Sequence, residues 1–63
     1  MNDQEIEKMA QGIAEMHTLE DILTTIEKLL KSCNGALDVL NAMEKPSYLI
    51  LKRAAQVKRQ AQS

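Results

Sequence analysis

The sequence predicts an all-α fold, a small bundle of three helices or of two long kinked ones, completed by oligomerisation. Three observations lead there. First, from Thr18 to Met43 the apolar residues Leu19, Ile22, Leu23, Ile26, Leu29, Leu30, Cys33, Ala36, Leu37, Leu40 and Met43 recur at steps of three and four. Such a stripe fits one face of an α-helix, and with Leu23, Leu30 and Leu37 as an extra row it is too broad for a two-stranded zipper. Second, the chain has no Trp or Phe, one Tyr (Tyr48) and only two valines, Val39 and Val57. An aliphatic core of that kind suits helix packing and argues against a β-sandwich. Third, 63 residues with a single Cys33 and a single His17 make one domain with neither an internal disulfide nor a zinc ligand set. A chain so short is marginal by itself, and a partner chain is the staple that remains.

The elements follow in order. Asn2 with Glu5 three residues later has the spacing of a capping box, so the first helix spans about 3–16. Ile6, Met9, Ala10, Ile13 and Met16 form its expected inner stripe, with Glu5, Glu7, Gln11 and Glu15 in water. Gly12 weakens this helix by about 1 kcal/mol relative to alanine, and the simplest reason for it is close approach of a neighbouring helix. Extending the same register would bury Glu20, so the stripe must restart at Leu19; Thr18 followed by Asp21 is the second N-cap.

The second helix spans about 19–33, with Glu27 and Lys31 as a favourable surface pair at i,i+4. Asn34-Gly35 reads locally as a stop, although the heptad register runs through it without a slip. A break is preferred, because glycine after asparagine at the end of a stripe is a common stop signal. A short piece at about 36–44 follows. Pro46 then either kinks a helix or opens one at its first turn. The last segment covers about 47–60, lined by Ile50, Leu51, Ala54, Val57 and Ala61.

Charge is unevenly spread. Residues 1–27 carry seven acidic side chains and one basic one, while residues 45–63 carry five basic side chains and no acidic one. That split fits nucleic-acid contact, an acidic partner, or charge-complementary packing of the chain's own two ends. No apolar run approaches the length of a membrane span. The acidic, polar opening is unlike a secretory signal, and a lone cysteine fits a reducing compartment, so a cytoplasmic location is expected.

No Ser/His/Asp or Cys/His constellation and no glycine-rich phosphate loop is present, so neither an enzyme nor a cofactor is expected. Cys33 reads as a small buried hydrophobe and His17 as a surface residue of the turn. Met9, Met16 and Met43 read as core filling, and together with Met1 they form the set that would serve an adaptable binding surface.

The leading functional expectation is a small non-enzymatic interaction protein or regulator. It would self-associate as a dimer or higher oligomer and bind a larger protein, as adaptors, co-chaperones and anti-repressors do. Ile22, Leu23, Ile26, Leu29, Leu30, Leu37, Leu40, Tyr48 and Leu51 are its expected interface, with Tyr48 off the main stripe as a typical anchor. The alternative is a nucleic-acid-binding helical dimer. Lys45, Lys52 and Arg59, spaced by seven and flanked by Arg53 and Lys58, would share the outer face of a continuous helix and meet phosphates or an acidic partner. A membrane-surface helix at residues 49–59 comes third, since it lacks the aromatic anchors usual there.

Overall fold

Two side chains start the first half of the fold. The Asn2 Oδ1 accepts the backbone N–H of Glu5 at 2.9 Å, and the Thr18 Oγ1 accepts that of Asp21 at 3.1 Å. Each removes one of the unpaired donors that a helix N-terminus leaves. The computed structural model describes residues 2–62, and these fold into four helices: α1 Asp3–Met16, α2 Leu19–Lys31, α3 Ala36–Met43 and α4 Pro46–Gln62. Met1, one of the methionines named above, lies outside the described residues, as does Ser63.

Four helices rather than three result because both doubtful junctions break the helix. α2 ends at Lys31, two residues short of the expected Cys33, because its last carbonyls are taken up early. The Ser32 Oγ donates to the Leu29 carbonyl at 2.7 Å, and the Cys33 N–H bonds back only three residues, to Leu30. Gly35 then adopts φ 100° and ψ 176° and caps the start of α3. This backbone region is essentially closed to side chains with a Cβ. Asp38, in the first turn of α3, accepts the Asn34 N–H on its Oδ2 at 2.9 Å and holds the turn. At the second junction the Lys45 N–H bonds to the Ala42 carbonyl, closing α3 in a tight turn. Pro46, which has no N–H to offer, takes the first position of α4, and the Leu49 N–H reaches the Lys45 carbonyl. The long kinked helix running from Ala36 onward is therefore not formed.

The stripe on α2 and α3 dominates the sequence, yet α4 is the hub of the packing. α4 lies against both α1 and α2, while α3 touches α2 and α4 more lightly. Ala10, Ile22, Ala54 and Ala55 form the buried centre, with Ile13, Leu19, Ile26 and Leu51 packed onto it. Ala10 and Ala54 are fully covered. Their small side chains let neighbouring helices approach closely, and alanine gives up no rotamer freedom in a helix.

Four expectations change with this arrangement. α1 buries Ala10 and Ala14 and leaves Met9 and Met16 in solvent, Met16 at 79 % exposure, so these methionines are not core filling. The buried face is turned toward Glu7, which is half-exposed and also meets Arg53 on α4. Gly12 has no close neighbour: a Cβ built on it would find nothing within 4 Å. Tyr48 is 9 % exposed, part of the interior and not an outward anchor. It belongs to a second row on α4, Tyr48–Leu51–Ala55, beside Ile50–Ala54–Val57. Two adjacent rows allow one helix to serve two neighbours.

Candidate interaction surfaces

The nine residues expected at an interface divide between the inside and the outside of the fold. Ile22 is buried, and Ile26 and Leu51 pack onto the core. Leu29 and Leu30 are half-buried. Tyr48 is interior. What the fold leaves uncovered is Leu23 on α2, at 38 %, and Leu37 and Leu40 on α3, at 73 % and 59 % exposure. The reason lies in α3. Its inward side is Val39, Ala42 and Met43, which are half-buried or buried, while Leu37 and Leu40, three residues apart, share the opposite side. With Asn41 and Glu44 beside them, they form an outer face with no covering element.

The five basic residues also separate. Arg53 is engaged within the chain: its Nε lies 2.5 Å from the Glu7 Oε2, and its second guanidinium nitrogen lies 3.0 Å from Oε1. This is the two-pronged arrangement in which a planar guanidinium grips a carboxylate most strongly. Gln11 adds a hydrogen bond to the Glu7 Oε1 at 3.1 Å, and Gln56 accepts one from Arg53 at 3.4 Å. The Arg53 hydrogen bonds, followed by that from Gln11, lower the Glu7 carboxyl from its usual 4.5 to about 2. The same contacts with Glu7 raise the Arg53 guanidinium. Of the three readings of the charge split, the packing of the chain's own two ends describes this pair. Lys45, Lys52 and Arg59 are exposed and Lys58 is half-buried.

Two clefts flank α4. One, of about 150 Å³, is lined by Ile13, His17, Asp21, Ile22, Thr25 and Leu51, where the end of α1 meets α2 and α4. The other, of about 350 Å³ and more open, lies beside the ion pair, between Asp3, Ile6 and Glu7 on α1 and Leu49, Lys52, Arg53 and Gln56 on α4. Among the described residues no group of three or more His, Cys, Asp or Glu side chains is placed to hold a metal ion, and no helix is long and apolar enough to cross a membrane. Cys33 is a free, half-buried thiol whose Sγ lies 3.5 Å from the Leu29 carbonyl.

Comparison with protein-family models, curated proteins and solved structures finds no match.

The surface feature that the apolar pattern alone misses is the pair of exposed methionines on α1. Helical periodicity gives a stripe but not its centre, and counting large side chains puts that centre on Met9 and Met16. The signal that could correct it is Ala10–Ala14 at helical spacing on α1 together with the adjacent Ala54 and Ala55 on α4, small residues in two helices of opposite charge.

Proposed function

We propose that this chain is a small, non-enzymatic helical interaction protein that self-associates and presents a surface to a larger protein. One observation carries the reading. After α1, α2 and α4 have formed a core around Ala10, Ile22, Ala54 and Ala55, the leucines of α3 remain in water. Single exposed apolar residues need no explanation, but large ones grouped on consecutive elements mark contact surfaces. Leu37 and Leu40 occupy one side of a helix of only eight residues. Neither belongs to the buried cluster or to the hydrophobic residues packed against it.

The nucleic-acid alternative loses Arg53 to the Glu7 pair and retains Lys45, Lys52 and Arg59 on the surface. With a formal net charge of −1 over the whole chain, the long-range attraction to phosphate is weak.

The reading is tested by melting the wild type and a Leu37→Asp/Leu40→Asp variant, each over a hundredfold range of concentration. For a self-associating protein the melting temperature rises with concentration, because association stabilises the folded form by mass action. The wild type is expected to show that rise. The variant is expected to keep its helical circular dichroism and lose the concentration dependence. A wild type whose melting is independent of concentration would remove self-association from the account.

A further inference from the structure

The shape of the chain bears on what covers the leucine face. A compact monomer of 7.1 kDa has roughly 4,100 Å² of accessible surface by the usual size scaling, whereas this fold exposes 4654 Å². Its radius of gyration is 11.8 Å, against about 10.6 Å for a compact domain of this length. The extents of 33 × 26 × 17 Å describe a slab. The surplus over a compact monomer is roughly 550 Å² for the whole chain.

Charge along α2 indicates how a second copy would lie. Its first half carries Glu20 and Asp21, and its last turn carries Lys28 and Lys31. Glu20, Thr24, Glu27 and Lys31 follow one another at steps of four, three and four along the exposed side of the helix. Two copies laid parallel would set Glu20 against Glu20 and Lys31 against Lys31. Laid antiparallel about a two-fold axis near residues 25–26, each Glu20 meets the Lys31 of the other copy, whose ammonium also pairs with its own Glu27 at 2.6 Å, and the helix dipoles also oppose. Chain order then sets the α3 end of one copy, with Leu37 and Leu40, over the end of the other where α2 begins.

We infer that the occupant of the α2–α3 face is a second copy of this chain, docked antiparallel through α2 with Glu20 facing Lys31 across the two-fold axis. This rests on the self-association proposed above and adds the face, the symmetry and the pairing.

Disulfide trapping distinguishes the geometry from the association itself. In a Cys33→Ser background, Glu20→Cys and Lys31→Cys are made separately, oxidised alone and oxidised as a mixture, with solution mass measured in parallel. In the antiparallel dimer, position 20 of one copy stands about 16 Å along the helix axis from position 20 of the other. That is beyond the reach of a disulfide, which needs Cα atoms closer than about 7 Å. The expected result is a dimeric mass with covalent dimer formed only by the mixture. A dimeric mass in which either variant cross-links with itself, or in which none of the three samples cross-links, overturns this geometry and leaves self-association standing. A monomeric mass overturns both.

Discussion

The two glycines offer a sharp test of the fold, because the same substitution should act in opposite directions at the two positions. Gly12 lies inside α1 with helical backbone, and an added Cβ meets nothing within 4 Å. Replacing it with alanine therefore recovers the full helix-propensity difference of about 1 kcal/mol, with no clash to subtract. For a domain of this size that is a rise of about 4–8 °C in melting temperature. Gly35 also has open space around its Cβ position, but its φ of 100° is the difference. Alanine there must either accept a strained backbone or rebuild the α2–α3 junction, at a cost on the order of 1–3 kcal/mol. Urea titration followed by far-ultraviolet circular dichroism, with thermal melts alongside, reads both changes. Gly12→Ala should move the midpoint up and Gly35→Ala should move it down, with similar slopes. A destabilised Gly12→Ala would mean that something packs against that side of α1 in solution, and the open space around Gly12 described above would be wrong.

Other expectations concern the core and the ion pair. Ala54→Leu forces extra volume between α4 and its neighbours and should cost about 1–3 kcal/mol, while Ala61→Leu at the exposed end of α4 should stay within about 0.5 kcal/mol of wild type; matched urea titrations compare them. The Glu7 carboxyl is lower in the folded chain than its usual 4.5, at about 2. Its contribution to stability is therefore fully present above pH 4.5 and is lost as pH falls toward 2. Glu7→Gln should flatten that part of the stability–pH curve; an unchanged acid limb would show that the Arg53 pair does not persist in solution. A short duplex oligonucleotide should give no gel shift at about 0.15 M salt, since so few phosphate contacts do not survive at that ionic strength. A retained complex there would favour the nucleic-acid alternative.

Much of the architecture could be read from local chemistry. The starts of α1 and α2 depend on Asn2 and Thr18, side chains whose capping role is decided within three residues. The Glu27–Lys31 pair, at 2.6 Å, is likewise a matter of spacing on one helix. The junctions were harder, because the apolar register runs unbroken through Asn34-Gly35 and Pro46 and conceals the breaks. The backbone decides them, through the unusual φ of Gly35 and the missing N–H of Pro46. Hardest was the choice of hub. α2 and α3 hold the conspicuous leucines, but α4 holds the close approaches, and alanine contributes little to any hydropathy pattern. For the same reason Ile22 and Leu37, similar in the stripe, ended at opposite extremes of burial. Which face of a helix meets its own chain is a tertiary property, fixed here by what α4 can cover and by the Glu7–Arg53 pair.

Sedimentation equilibrium of the unmodified chain at micromolar concentration examines the central claim most directly. If the α2–α3 leucine face is covered by a second copy, the mass should be about twice 7.1 kDa and should fall toward 7.1 kDa on dilution or on Leu37→Asp/Leu40→Asp substitution. A mass of 7.1 kDa throughout, with the wild type and the variant alike, would show that these leucines stand in water without a copy to meet.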